Sequence, residues 1–294
     1  FGLPNAANAA ILPGVAVTVA CVTGTGWRGG IIIVGPFAVL AGLASLVSAD
    51  PWPAALVLAV AAFLRGYAAR VGLHNALILT VITLGFLVAL PPHFDTAMPA
   101  PIVVGLLTLG SGLWATLAIF ALSGWLPHRK PEHLEPIRVW IFSLALALLV
   151  GIAAFLVVTF DLGQTGGWII LTVLVVFQPS LGAGFVKGRD RALGTLAGLG
   201  ISVVIGVFIP TGPILSVIGV AFLILTFLFI LQNRPYWLYA MVLTPGVVLM
   251  SSAGSLVDVV AAERLKGTAV GIAMTLLVML ALSPLAKHLE VKPA

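Results

Sequence analysis

The chain of 294 residues is 61% hydrophobic and only 8% charged, and its formal net charge at pH 7 is +5. Soluble domains carry about 25% charged residues, so this composition excludes an ordinary soluble protein and indicates one embedded in a membrane. The basic residues are scattered between apolar segments and do not form one basic face, which argues against nucleic-acid binding. The single cysteine, Cys21, excludes an internal disulfide and a thiolate metal cluster, and no metal site is expected.

Eleven apolar segments are predicted to be membrane-spanning helices. Continuous apolar runs of about 20 residues suit helices, whereas the strands of a membrane barrel alternate apolar and polar residues. The first five segments cover residues 9–24, 30–48, 53–70, 75–91 and 100–125. The other six cover residues 138–160, 167–182, 191–209, 213–232, 236–252 and 259–285. The expected fold is an all-α polytopic membrane protein with about eleven spans, within a range of roughly ten to twelve.

A short polar stretch divides the chain into two predicted halves. The N-terminal five-helix membrane half covers residues 1–126, a short cytoplasmic linker covers 127–137, and a C-terminal six-helix membrane module covers 138–294. With the linker in the cytoplasm, all of the 14 basic residues except Arg264 and Lys266 fall at cytoplasmic ends, as the positive-inside rule requires. The two exceptions need another explanation, and a functional role is the obvious one.

One motif occurs twice in the second half, as RALGTLAG at residues 191–198 and as RLKGTAVG at residues 264–271. Each copy opens a predicted span, and three predicted spans separate the two starts. An odd number of crossings places the copies on opposite faces of the bilayer, which is typical of an inverted repeat. The C-terminal module is therefore predicted to contain a 3+3 inverted repeat, with a substrate site near the interface between its parts.

The arginine, threonine and glycines of each copy lie on one face of a helix, because their offsets are 0, 3, 4 and 7. The paired glycines let another helix approach closely, and the arginine and threonine beside them can hold an anion. The predicted substrate-binding residues are Arg191, Gly194, Thr195, Arg264, Gly267 and Thr268, with Trp168 and Phe177 as aromatic stacking partners. The alternative is that the small residues serve packing and that Arg191 only anchors the membrane topology. This alternative explains Arg264 less well, because Arg264 does not lie at a cytoplasmic end.

Two prolines and two carboxylates complete the predicted site. Pro179 and Pro245 interrupt apolar spans, and broken helices are where transporters build binding sites, although a simple kink is the alternative. Asp258 and Glu263 precede Arg264, and a carboxylate beside a cationic site can exchange a proton as substrate binds, which makes the pair the predicted coupling residues. The alternative for these carboxylates is a solvated helix end with ordinary salt bridges.

The sequence has no Gly-rich phosphate loop, no nucleophile elbow and no H-E-x-x-H pair, so neither an enzyme nor a cofactor is expected. Transport driven by ATP is not expected from this chain alone, which leaves an ion gradient or passive flow. Arg65, near the inner end of the third predicted span, is expected to extend towards the membrane interface.

Residues 138–286 resemble the membrane module of the fusaric acid resistance and aromatic acid exporter superfamily, in which an R-x-x-G-T-x-x-G segment opens the third of six helices. Most of the similarity lies in WIILTVLVVFQPSLGAGFVKGRDRALGTLAG, residues 168–198, and residues 243–245 and 264–271 extend it. The first half is similar to the family's more degenerate first module, best between residues 110 and 127. Two departures are a short linker, where many members carry a cytoplasmic helical region, and a first half without the motif. The site is therefore expected mainly in the second half.

The resemblance implies a bacterial inner-membrane efflux transporter, driven by protons, that exports aromatic carboxylic acids or related organic anions. It implies a small organic anion as substrate and the lipid bilayer as surroundings, with a periplasmic adaptor protein and a second copy in a homodimer as candidate partners. Plant relatives are anion channels for malate, so an organic-anion channel is one alternative. A non-transporting membrane partner in envelope assembly is another.

Overall fold

A computed structural model describes residues 3–123, 133–209, 212–232, 234–252 and 256–290, with side chains between residues 10 and 283. These ranges are almost entirely helical and contain no strand, so the all-helical prediction is confirmed. Most of the predicted linker, residues 127–132, lies outside the described residues. The structure divides into two compact units, Phe1–Leu174 and Val175–Ala294, while the predicted halves on either side of the linker stay a prediction.

The first unit is built from helices that pack in pairs, α2 along α5 and α3 along α6. The bounds are α1 (Leu3–Ala20), α2 (Gly26–Leu46), α3 (Pro51–Tyr67), α4 (Ile78–Ala89), α5 (Ala100–Leu122), α6 (Pro136–Thr159) and α7 (Gly163–Val176), whose last two residues belong to the second unit. A π-helical turn, Cys21–Thr25, joins α1 to α2. Gly24 leaves helical geometry within that turn (φ 176°, ψ −35°), so α1 and α2 are separate helices.

The second unit is arranged around α8, which packs along both α10 and α11, while α9 packs along α10. The bounds are α8 (Leu181–Phe208), α9 (Pro213–Leu231), α10 (Tyr236–Ser251) and α11 (Val257–Glu290). Buried apolar side chains hold the four helices together: Leu199, Leu215, Val248, Leu249, Val257, Val260 and Ala261. The motif does not open these helices as predicted but lies inside α8 and α11, and the two helices are direct neighbours.

Seven helical segments are long and apolar enough to cross a membrane: Ala10–Leu46, Pro51–Val71, Ala100–Leu122, Pro136–Thr159, Leu181–Phe208, Pro213–Leu231 and Val257–Ser283. Three shorter apolar helices, α4, α7 and α10, accompany them. The first segment contains both α1 and α2, so it covers two of the predicted spans. The structure supports a multi-pass membrane protein, whereas the number of eleven crossings stays a prediction.

Arg65 is placed differently from the expectation. Its side chain is buried, with only 1% exposed, so it does not extend to the membrane interface. Its Nε donates a hydrogen bond to the carbonyl of His74 at 3.0 Å, and its Nη1 donates to the carbonyl of Leu174 at 2.9 Å. Leu174 lies in the last turn of α7, where carbonyls lack helical donors. Arg65 therefore caps the end of α7, and the expectation was wrong because that partner lies far along the chain.

Candidate functional site

One face of α8 is buried from Gly184 to Ser202. Arg191, Gly194, Thr195, Gly198 and Ser202 are all buried, and their spacing of three or four residues puts them on one stripe. This stripe includes every fixed position of the first motif copy. Because α8 packs against both α10 and α11, the stripe lies at the centre of the second unit.

The two glycines of this copy bring α8 against the backbone of α10. A Cβ atom on Gly194 would lie 2.5 Å from the carbonyl oxygen of Trp237, and one on Gly198 would lie 2.5 Å from that of Met241. Real side chains do not tolerate such distances, so only glycine permits this contact. The close approach expected from glycines four residues apart is present.

Pro179 and Pro245 occupy different structural positions. Pro179 lies in the connection of residues 177–180 between α7 and α8, whereas α10 continues through Pro245. Proline has no N–H, so Pro245 leaves the carbonyl of Met241 without its helical donor, at the point where Gly198 approaches. The preceding residue, Thr244, is fully buried and donates its hydroxyl proton to the carbonyl of Ala240 at 2.9 Å.

Arg191 is fully buried, and its guanidinium group makes one described hydrogen bond. Its Nη1 donates to the hydroxyl of Tyr236 over 3.4 Å, a long distance for such a bond. Its Nε and Nη2 have no hydrogen-bond partner among the described residues. Two N–H directions of a buried cation thus have no acceptor among the described residues.

Arg264 brings the second motif copy to the same place. It is also fully buried, and its Nη2 donates to the hydroxyl of Thr244 over 3.5 Å. It interacts electrostatically with Arg191 and with the phenol groups of Tyr236 and Tyr239. The structure therefore brings the two predicted arginines together across the interface of α8, α10 and α11.

The two threonines of the motif also lack described partners. Thr195 is 1% exposed and Thr268 is 3% exposed, and neither hydroxyl has a hydrogen-bond partner among the described residues. Buried hydroxyl groups are normally hydrogen-bonded, so these two are available to a ligand or to water. Gly267 is buried on the same face of α11 as Arg264 and Thr268.

Two tyrosines of this site were missed by sequence reasoning. The ring of Tyr236 lies 5.2 Å from that of Tyr239, and Lys187 Nζ lies 4.2 Å from the centroid of the Tyr236 ring. The tyrosines stand three residues apart at the start of α10, so they share a helix face. The chain has only three tyrosines, and that rarity was the one available signal.

Residues 150–278 match a family model described as fusaric acid resistance protein-like. This part of the chain is similar to that family. The match contains both copies of the motif, and it confirms the predicted resemblance over a little less than half of the chain. No curated protein and no solved structure matches the chain.

The other predicted residues have different surroundings, and the described contacts do not include one between any of them and Arg191 or Arg264. Trp168 is in the first unit, where it packs edge to face on Phe86 with ring centroids 4.8 Å apart. Phe177 is buried where the connection to α8 begins. Asp258 is exposed and Glu263 is half-buried on α11. At six residues and one residue before Arg264, these carboxylates point away from the face of the motif.

The chemistry of this site suits an anion. A buried charge is costly unless it is paired, and Arg191 has no carboxylate partner among the described residues. The nearest acid in sequence, Asp190, instead accepts a hydrogen bond from Arg189 at 3.0 Å. Within the described residues there is also no group of three His, Cys, Asp or Glu side chains that could hold a metal ion.

Proposed function

We propose that this fusaric acid resistance-like protein is an inner-membrane efflux transporter of aromatic carboxylic acids or related organic anions, and that its second unit holds the anion. The observation that carries the proposal is the pair of fully buried arginines, Arg191 and Arg264, on neighbouring helices. The match to this family supports a membrane transport or resistance role. The class of substrate, the direction of transport and the bacterial inner membrane are parts of the proposal.

A carboxylate fits the open hydrogen-bonding groups. Guanidinium groups bind carboxylates through two parallel N–H donors, and Arg191 has Nε and Nη2 without described partners. The hydroxyls of Thr195 and Thr268 supply further donors. A buried cation without a partner costs several kcal/mol, so binding a carboxylate there recovers free energy that the empty site lacks.

The tyrosines favour an aromatic substrate over a small inorganic anion. Tyr236 and Tyr239 lie beside the arginines and present ring surfaces, and aromatic rings pack on one another with centroids about 4.5–7 Å apart. Lys187 lies over the Tyr236 ring and adds positive charge one helical turn before Arg191. We propose that the carboxylate binds the arginines while the substrate ring contacts the tyrosines, and that Trp168 and Phe177 serve at another stage of transport.

The proposal includes the 3+3 inverted repeat and coupling to protons. The meeting of the two motif copies at one site supports the repeat, since transporters of this kind bind substrate where the repeats meet. Glu263 is half-buried and adjacent in sequence to Arg264, which supports a role in proton exchange, with Asp258 nearer the exposed start of α11. A periplasmic adaptor protein and a homodimer remain proposed partners.

Uptake of labelled 4-hydroxybenzoate into inverted membrane vesicles tests the function. The proposal expects accumulation that depends on an imposed pH gradient, and loss of uptake in Arg191→Ala and Arg264→Ala at unchanged protein levels. Arg234→Ala is the matched control, because Arg234 is exposed and its side chain bonds only Gln232 among the described residues. If Arg191→Ala and Arg264→Ala took up the anion as well as Arg234→Ala and the unchanged protein do, the proposed site would be ruled out. If the anion equilibrated across the vesicle membrane without accumulating, the protein would be an anion channel and not a proton-driven exporter.

A further inference from the structure

A cavity of about 310 Å³ lies within the first unit, where the ends of three helices meet. Its lining includes Ala49 just after α2, Val88 and Pro91 at the end of α4, and Val158 and Asp161 at the end of α6. Sites for small molecules have volumes of about 300–1,000 Å³, so this cavity is large enough for a small organic compound. None of these residues belongs to the anion site of the second unit.

Three helices end at this cavity, and the negative end of α4 is the one that no following helix start offsets, because α3 begins at Pro51 just after α2 and α7 begins at Gly163 just after α6. The C-terminus of a helix carries roughly half a negative charge, because its last carbonyl groups lack helical donors. The effect is largest for α4, since the proline pair at residues 91–92 has no N–H to donate to the carbonyls of Leu87 and Val88. Val88 lines the cavity, so its carbonyl is a candidate acceptor for a bound donor.

Asp161 places a carboxylate at a backbone position that usually holds glycine. Its φ is 46°, in the left-handed region that disfavours most side chains. Its N–H donates to the carbonyl of Val158 at 3.3 Å, and the N–H of Leu162 donates to that of Val157 at 3.0 Å. These two bonds form the Schellman arrangement that ends many helices, with the left-handed position most often occupied by glycine. Asp161 lines the cavity and is also exposed to solvent, so its charge is accessible to a ligand.

The surrounding charges and surfaces favour an organic cation over a metal ion. The segments next to the cavity, residues 47–50, 90–99 and 160–166, contain no Lys or Arg. Asp161 is the one acidic residue in the lining, whereas metal ions need several ligands, and the described residues hold no group of three potential metal ligands. The valines at the ends of α4 and α6 and Pro91 supply apolar walls.

We propose that this cavity is a second ligand site that binds a small organic ammonium ion. The ammonium group would donate hydrogen bonds to the Asp161 carboxylate and to free carbonyl groups at the end of α4, and its hydrocarbon part would contact the valines. The site uses residues of the first unit alone, so it does not depend on the anion site or on transport of any anion.

Equilibrium binding to the purified full-length protein in detergent tests this site. The probe is labelled benzylamine, and benzyl alcohol and benzoate are matched competitors without the positive charge. We expect benzylamine to bind at least tenfold more tightly than benzyl alcohol or benzoate. We expect Asp161→Asn and Asp161→Gly to weaken its binding at least tenfold, and Ala49→Phe to do so by filling the cavity from its exposed side.

The two Asp161 variants separate charge from folding. Asp161→Gly relieves the backbone strain, so its unfolding temperature should equal or exceed that of the unchanged protein, and its loss of binding would then report the missing carboxylate. Glu135→Gln is the control, because Glu135 is exposed and its one ion pair among the described residues is a surface pair with Arg138 at 3.7 Å. Equal binding of benzylamine and benzyl alcohol, no binding of benzylamine, or full binding by Asp161→Gly would overturn the proposal.

Discussion

Gly198 of α8 packs against the carbonyl oxygen of Met241 in α10, where Pro245 supplies no N–H to that oxygen. Two features of the sequence that are 47 residues apart thus form one contact. The glycine allows the approach, and the proline frees the carbonyl that is approached. This contact sets the distance between α8 and α10, and with it the position of Arg191 relative to Tyr236.

Adding one methyl group at this contact should destabilise the second unit. In Gly198→Ala the new Cβ would lie 2.5 Å from the Met241 oxygen, and the helices must separate. Overpacking of this kind costs about 1–3 kcal/mol, so a lower unfolding temperature in detergent is expected. Gly200→Ala is the matched control, because Gly200 lies on the same helix and its added Cβ would have no described atom of another helix within 4 Å. Equal stability of the two variants would show that the contact is unimportant.

Removing the hydroxyl of Thr244 should impair transport more than stability. Thr244→Val keeps the shape of the side chain but removes the acceptor of the hydrogen bond from Arg264. A hydrogen bond to a charged group contributes about 1.5–3 kcal/mol, and the 3.5 Å distance argues for the low end, so we expect roughly a tenfold loss of substrate affinity. Thr226→Val on α9 is the control, since the Thr226 hydroxyl bonds only the Phe222 carbonyl. A comparable loss of substrate affinity in Thr226→Val would show that the effect of Thr244→Val comes from altered packing and not from the lost hydrogen bond.

Tyr236 should distinguish aromatic from aliphatic anions. Tyr236→Phe removes the hydroxyl that accepts from Arg191 but keeps the ring, whereas Tyr236→Leu removes both. Contacts between aromatic rings contribute about 0.5–1.5 kcal/mol in addition to the free energy of burying their surface. We therefore expect Tyr236→Leu to weaken the binding of aromatic carboxylates by up to about tenfold relative to the binding of aliphatic ones. Competition of benzoate and hexanoate for the same site measures the ratio. An unchanged ratio in Tyr236→Leu would exclude contact between this ring and the substrate.

His74 should make the first unit less stable in acid. Burial, reinforced by the positive charge of Arg65, lowers the pKa of His74 from its usual value of 6.5 to about 4. Between these two values the unfolded chain takes up a proton that the folded chain does not, so stability is lost as pH falls from 6.5 to about 4. The loss amounts to at most about 3 kcal/mol.

Thermal unfolding at pH 7.5 and pH 4.5 measures this effect, with His74→Gln as the comparison. The variant should lose less stability between the two pH values than the unchanged protein. An identical pH dependence of the two proteins would show that His74 does not titrate as its surroundings predict.

Local features of the chain were predictable because they depend on near neighbours in sequence. The positions of the apolar helices follow from runs of apolar residues, and the buried stripe from Arg191 to Gly198 follows from helical spacing. The repeat of the motif also predicted Arg264 as a second basic residue of the site, and its charge lies within electrostatic range of that of Arg191. Each of these inferences needed only a few turns of helix or the comparison of two short segments.

Contacts between distant helices were not predictable in the same way. The partner of Arg65 is the carbonyl of Leu174, which lies 109 residues further along the chain. Tyr236 and Tyr239 carry no motif, and only the packing of α8 on α10 brings them to the arginines. The cavity beside Asp161 depends on where three separate helices end, which no single stretch of sequence reveals.

Direct binding of labelled 4-hydroxybenzoate to the purified protein tests the central claim most directly. The unchanged protein and Arg234→Ala should bind the anion with equal affinity, whereas Arg191→Ala and Arg264→Ala should each bind at least tenfold more weakly at the same unfolding temperature. Benzyl alcohol should not compete, since the claim rests on the carboxylate and the buried guanidinium groups. Full affinity in both arginine variants would contradict the account.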